Sequence, residues 1–235
     1  MGEEMDSAET KVFFNKWDLY QNVIEQNYMH HDELIAALKN WSQLALPYRA
    51  RVLDLGSGDA HVAANAWSHE SEVRYTGIDF SSSAGKIARE RLEKIDWQVE
   101  MIDGDFLDKL DQLEGPYDVI VAGYTLHHLS GPEQLAVIAR ARQLLSPQGT
   151  LMVYDVVRRD QETRDEFNQR LLSHIDDDWK TFDDNELAAI RQHISREDYP
   201  QTKSWWQKSA RLAGFGNWHL HFADERDFFY LIEMS

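Results

Sequence analysis

The sequence predicts an α/β protein, a mostly parallel sheet with helices on both faces and an antiparallel hairpin closing one edge. Three observations point there. From residue 51 short β-rich runs alternate with helical stretches, the pattern of βαβ units. The first of these runs ends in a glycine-rich turn that leads straight into a helix. Near the end, two β-like runs flank the polar connector Ala223-Asp-Glu-Arg-Asp227, as in a hairpin.

Residues 11–46 read as helical, with Trp17, Tyr20, Val23, Ile24 and Tyr28 at helical spacing, followed by Leu34, Leu38 and Trp41. Strands are expected over Arg51–Leu55, Val73–Ile78, Gln98–Ile102, Tyr117–Ala122 and Gly149–Val156, and helices over Val62–Trp67, Ala84–Leu92 and Pro132–Leu145. Pro132 suits a first helical turn, and Ser146-Pro147-Gln-Gly149 punctuates the helix end. Residues 158–200 break the rhythm with two helical stripes, Phe167, Leu171, Ile175 and Leu187, Ile190, Ile194. An insertion of this kind between sheet elements is positioned to cover a site. A last helix, Ser204–Leu212, precedes Gly214 and the hairpin runs Asn217–Phe222 and Phe228–Glu233. No Pro/Gly linker or repeat interrupts the chain, so one domain over 1–235 is expected, with a helical lid over 11–46 and a helical cap over 158–200.

With 235 residues, 43% of them hydrophobic, the chain is long enough to bury a substantial core. Its net charge of −17 argues against nucleic-acid partners, because neutralising phosphates needs clustered Lys and Arg. The absence of cysteine excludes disulfides, thiolate metal sites and a Cys nucleophile. The start, Met1-Gly-Glu-Glu-Met-Asp6, has neither a basic nor an apolar leader segment, and Asp6 stands where a myristoylation signal has Ser or Thr. No apolar run approaches a membrane span. A cytoplasmic protein without a membrane partner is expected; the oligomeric state is left open.

The most informative stretch is Arg51-Val-Leu-Asp54-Leu-Gly56-Ser57-Gly58-Asp-Ala60-His61. A buried strand enters a turn that Gly56 and Gly58 allow to bend tightly, at the strand's carboxyl end, where open α/β sheets bind ligands. A dinucleotide turn G-x-G-x-x-G would have its third glycine at His61, and Asp54 sits badly beside a pyrophosphate. An NAD-dependent oxidoreductase therefore stands as the alternative reading, as does a noncatalytic protein that keeps the same fold.

Asp54-Leu-Gly-Ser-Gly58-Asp-Ala60 resembles the first motif, D/E-x-G-x-G-x-G, of class I S-adenosylmethionine-dependent methyltransferases, with Ala60 replacing the last glycine. Further matches follow in order. Gly77-Ile-Asp79-Phe80-Ser81 places an acidic residue where the family grips the ribose, and Asp103-Gly-Asp105-Phe106 resembles its adenine-site motif. Tyr117–Leu129 resembles the fourth-strand motif of the small-molecule branch, including Gly123 and Tyr124, and Leu144–Leu151 the turn before strand five. The resemblance implies a Rossmann-like seven-stranded mixed sheet, order 3-2-1-4-5-7-6 with the last strand antiparallel. It implies S-adenosyl-L-methionine as cofactor, S-adenosyl-L-homocysteine as product, and methyl transfer to O or N of a small molecule. Asp54, Gly56, Ser57, Gly58, Asp79, Phe80, Ser81, Asp105, Phe106, Gly123 and Tyr20 are the candidate cofactor residues.

Displacement at a sulfonium methyl chiefly requires alignment and an unprotonated nucleophile. His127 and His128 follow strand four near the expected methyl, and His31 lies in the lid; histidine has the right pKa for a general base. Backbone hydrogen bonding is the competing role for the His127-His128 pair. Trp17, Tyr28, Tyr124 and Trp205 are candidate walls of an acceptor pocket, since aromatic faces suit planar or alkylammonium groups. No metal is expected: adjacent histidines point apart on a regular element, and no third ligand is spaced with either pair.

Overall fold

The apolar run before the glycine turn becomes the central strand because both of its faces find cover. In the computed structural model, which describes residues 19–70 and 72–235, β1 (Arg51–Leu55) pairs in parallel with β2 (Arg74–Asp79) and with β4 (Tyr117–Gly123). Next to β2 lies β3 (Gln98–Asp103), and next to β4 lies β5 (Leu145–Arg158), again in parallel. The hairpin strands β7 (Trp218–Ala223) and β8 (Phe229–Met234) complete the sheet, with β8 antiparallel to β5. The order β3-β2-β1-β4-β5-β8-β7 is the one expected. An unforeseen two-residue strand, β6 (Gln201–Thr202), pairs with the end of β5 and shifts the numbering of the last two.

Strand side chains alternate between two cores. Val52, Tyr75, Val119, Val121, Met152 and Tyr154 face one layer of helices, and Leu53, Ile78, Ile120, Ala122, Leu151 and Val153 face the other. The first core is covered by α2 (His31–Ala45), α3 (His61–Trp67), α4 (Ser82–Leu92), α7 (Arg164–Asp178) and α8 (Asp184–Glu197). The second is covered by α5 (Phe106–Leu110), α6 (Gly131–Leu144) and α9 (Lys203–Ala213).

The helix starts are set locally. Ser130 with Glu133, Thr163 with Glu166 and Asp183 with Glu186 form capping boxes at α6, α7 and α8, each satisfying amides that would otherwise lack partners. Gly214, at φ 92°, ends α9 in the left-handed region. The helical stretch expected over 11–46 is broken: residues 19–25 form α1, and Asn27 and His30 then turn left-handed before α2. The Asn27 side chain accepts from the Asp32 amide and donates to Glu33, which favours the break over a continuous helix.

Both predicted stripes of the 158–200 segment become helices, packed through Phe167, Leu171, Ile175 and Ile194 against the first core. Arg170 holds α7 to the hairpin, pairing with Glu162 at 2.7 Å, donating to the Arg226 carbonyl and stacking on Phe228. Among the described residues no helix is long and apolar enough to cross a membrane.

Candidate functional site

Two cavities meet at the carboxyl ends of β1, β2 and β4. The first, about 430 Å³, is built on the glycine turn. Gly56 and Ser57 donate their amides to the Ile78 carbonyl, and Gly58 donates to the Asp79 carboxylate at 2.8 Å, so the turn is stitched to the end of β2. The other Asp79 oxygen accepts from the Ser81 amide at 2.8 Å, and the Ser81 hydroxyl caps α4. Burial raises the Asp79 carboxyl above its ordinary range, against the pull of these two amides.

At Gly56, φ is +68° and a Cβ would come within 2.5 Å of the Thr125 hydroxyl. The glycine is therefore required by the loop after β4 as much as by any ligand. Ala60, in the place of the third glycine, adopts φ +56° nonetheless, a conformation that costs a non-glycine residue about 1–2 kcal/mol.

Of the candidate cofactor residues, Gly56, Ser57, Gly58, Asp79, Phe80, Ser81, Asp105, Phe106, Gly123 and Tyr20 all line this first cavity. Asp54 does not. It lies beneath the turn, 4% exposed, accepting a 2.7 Å hydrogen bond from Tyr75. Burial pushes its carboxyl up to about 7, partly opposed by the Tyr75 hydroxyl. Asp105 caps α5 through the Leu107 amide. Asp59, His61, Thr125 and Tyr154 are wall residues that sequence reasoning missed. Asp59 was visible only as a motif spacer, yet it is buried against Arg91 at 2.7 Å.

The second cavity, about 380 Å³, lies between α1, the cap helices and β8. Its walls are mostly apolar: Leu19, Val23, Met29, Leu171, Ile175, Trp179, Ile190, Ile194 and Phe229. Its polar groups are His127, His128, His193 and Asp198. Tyr20, Phe80, Tyr124 and His128 line both cavities and form the passage between them.

The candidate histidines differ in their surroundings. His31 is fully buried, hydrogen-bonded to Tyr20 at 3.2 Å, and faces the first cavity rather than the second. Burial lowers its pKa to about 4, with help from His61 and His30, so it stays neutral. His127 is buried and locked, Nδ1 bonded to Asp155 and its amide donating to the same carboxylate at 3.1 Å. Burial would lower its pKa, but Asp155 and Asp198 together hold it at about 9. His127 is thus held by the Asp155 carboxylate and not through the side-chain bond to backbone weighed for it. His128 is 38% exposed, with Nδ1 3.3 Å from Asp198.

The expectation that adjacent histidines point apart does not hold. The turn Leu126–His128 is a single 3₁₀ turn that brings the two rings to 3.9 Å, with Asp198 beside both.

Three aromatic candidates are corrected or set aside. Trp17 lies outside the described residues. Tyr28 is not in the cavity wall: the left-handed residues around it turn the ring onto Trp179, stacked at 5.0 Å, with its hydroxyl bonded to Thr181. Trp205 packs edge-on against Trp206 in the second core, reaching neither cavity, because α9 covers the opposite face of the sheet.

Comparison with known proteins gives this geometry its chemistry. Residues 52–149 match a family model described as a methyltransferase domain. An uncharacterized methyltransferase of Oceanobacillus iheyensis is 25% identical over 213 residues, 91% of this chain and 85% of that protein. The chain is thus similar in sequence to methyltransferases over most of its length.

The fold agrees with solved methyltransferases. The magnesium protoporphyrin IX methyltransferase (ChlM) of Synechocystis PCC 6803, determined with bound S-adenosylhomocysteine, aligns over 97% of this chain and 98% of its own at TM-score 0.64 and 14% identity. The mitomycin 7-O-methyltransferase MmcR aligns over 86% of this chain at TM-score 0.57 and 15% identity, and this chain spans 54% of it. The first cavity fits S-adenosylmethionine in its own right. It offers a buried Ser57 hydroxyl without a hydrogen-bond partner, the Asp79 carboxylate, and Phe80 and Phe106 as apolar faces. The match to a methyltransferase domain, together with a turn that lacks the dinucleotide glycine, sets the NAD alternative aside.

Proposed function

We propose that this chain transfers a methyl group to an oxygen or nitrogen of a small, largely apolar acceptor held in the second cavity. The observation that carries this reading is the shared wall: Tyr20, Phe80, Tyr124 and His128 border both cavities, so a molecule in the second meets the cofactor cleft along that line. The apolar lining selects against highly charged acceptors, whose desolvation it would not offset. The size, about 380 Å³, falls within the usual range for small-molecule sites.

S-adenosylmethionine, when bound, supplies an electrophilic methyl on a positively charged sulfur. The chain's own residues then have three tasks. Asp79, Ser81 and the glycine turn hold the nucleoside end through the geometry described above. Tyr20 and Tyr124 fix the passage: the Tyr20 hydroxyl bonds His31, and the Tyr124 hydroxyl donates to the Met29 carbonyl. Burial holds both phenols far above their ordinary pKa, so they remain neutral and close off water. His128 is the histidine that opens to both cavities, and it contacts the polar atom of the acceptor. Alignment supplies most of the acceleration for such an in-line displacement. The helices of 158–200 and α1 act as cap and lid by forming the acceptor walls.

The test is a screen of phenols, hydroxylated aromatics and amines with isotopically labelled methyl donor. Transfer to a neutral or weakly basic aromatic acceptor is the expected result. Turnover only with highly anionic acceptors or with macromolecules contradicts the reading.

A further inference from the structure

The polar corner of the acceptor cavity has a geometry that the methyl-transfer reading uses only through His128. Three imidazole nitrogens surround one carboxylate oxygen. Asp198 Oδ1 lies 3.3 Å from His128 Nδ1, 3.5 Å from His193 Nε2 and 3.8 Å from His127 Nε2. That oxygen is buried yet makes no hydrogen bond of good geometry to any of them. One ligand atom each from His127, His128 and Asp198 lies within 4.8 Å of the others.

We propose that His127, His128 and Asp198 bind one divalent transition-metal ion of the zinc type in the wall of the acceptor cavity, with His193, which lies against the same Asp198 oxygen, moving in as the fourth ligand. Around a tetrahedral zinc with bonds of about 2.0–2.1 Å, neighbouring donor atoms stand about 3.3–3.4 Å apart. The three carboxylate–imidazole separations run from that spacing to a few tenths of an ångström above it, whereas a direct hydrogen bond would be shorter and better aligned. The donor types, imidazole nitrogen and carboxylate oxygen, suit zinc and its neighbours.

The outer partners follow the same logic. His127 Nδ1 is held by Asp155, and His193 Nδ1 lies 3.0 Å from Glu197. A carboxylate on the far nitrogen is the usual support of a metal-bound histidine, fixing the ring so that the other nitrogen faces the ion. In both residues the remaining nitrogen faces Asp198. All four proposed ligands line the acceptor cavity, so an acceptor oxygen or nitrogen has access to the ion. The site joins the turn after β4 to α8 and the segment before β6, which explains why no local spacing reveals it. Ion binding itself rests on this constellation and not on the identity of the acceptor.

The test uses the full chain without a histidine tag. The protein is stripped with a chelator, dialysed, and titrated with Zn²⁺ by calorimetry and with Co²⁺ by visible absorption. One ion per chain is expected, with the cobalt spectrum of a low-coordinate nitrogen–oxygen site. His193→Ala, at a half-buried position, and Asp198→Asn should each weaken affinity by at least about tenfold, the scale seen even for lost outer partners. His219→Ala and His221→Ala, on β7, should leave it unchanged. S-adenosylhomocysteine affinity, measured alongside, reports on the cofactor cleft: its retention in the variants shows an intact fold, and its absence from the wild type would count against the cofactor reading alone. Failure of the wild type to bind Zn²⁺ or Co²⁺ stoichiometrically overturns the metal site. So does unchanged affinity in both ligand variants.

Discussion

Replacing Asp79 with alanine should weaken cofactor binding, with folding followed alongside. Its two oxygens accept from Gly58 and Ser81, each at 2.8 Å, and so hold the glycine turn and the start of α4 against one another across the cleft. Hydrogen bonds to a charged group contribute about 1.5–3 kcal/mol each. Both bonds are only partly buried, so water can replace some of that loss in the free protein. What remains is the loss of a pre-shaped turn and of the carboxylate proposed to receive the ribose hydroxyls, together about 1–3 kcal/mol. At about 1.4 kcal/mol per tenfold, the Kd for S-adenosylhomocysteine should rise by roughly five- to a hundredfold. Isothermal titration calorimetry measures this, with thermal unfolding of the free protein as control. Asp79→Asn should fall between, because its amide oxygen can still accept from one of the two N–H groups while its NH₂ faces the other. A Kd within twofold of wild type for Asp79→Ala would refute the placement of the cofactor.

Two further predictions concern stability. Gly123→Ala places a methyl about 1.9 Å from the Tyr154 ring, so overpacking should destabilise the fold by about 1–3 kcal/mol, read as a lowered Tm. Asp54 gives a pH signature. Its carboxyl rises from 3.8 to about 7 on folding, so the unfolded chain ionises first as pH rises. Stability in the free protein should then fall between about pH 4 and 7, by an amount of the order of 4 kcal/mol, and level off above. Asp54→Asn should flatten that slope while keeping an acceptor for Tyr75. Urea unfolding at pH 5 and pH 8 measures it, and an identical slope in the variant would show that Asp54 is not its source.

The sheet was legible because its information is local. Each strand is an apolar run bounded by turn residues, and the glycine turn, Asp79 and Asp105 sit at fixed offsets from strand ends. Ten of the eleven expected cleft residues line its wall, Asp54 being the exception. The five-residue helix α5 escaped because a single turn carries no periodicity, and the break at Asn27 escaped because side-chain bonds to Asp32 and Glu33 decide it. The acceptor cavity was legible only as stripes: Leu171 and Ile175 in one helix, Ile190 and Ile194 in another, with nothing to say that they would face a common space. Trp205 and Tyr28 show the same limit. An aromatic residue near a site in sequence reaches it only if its helix presents that face, and α9 presents Trp205 to the opposite core. Asp198 is the clearest case, since its partners His127 and His128 lie before β5 and only the packing of α8 and β6 brings them together.

The place of the acceptor is tested most directly at Ala189. It lies on α8, exposed, and lines the second cavity alone, so Ala189→Trp should fill acceptor space at little cost to the fold. Steady-state methyl transfer and S-adenosylhomocysteine affinity are measured on the same preparation. The expected result is an acceptor KM raised at least about tenfold, the scale of a lost apolar contact of 1–3 kcal/mol, with cofactor affinity unchanged. An unaltered acceptor KM alongside weakened cofactor binding would place the acceptor elsewhere.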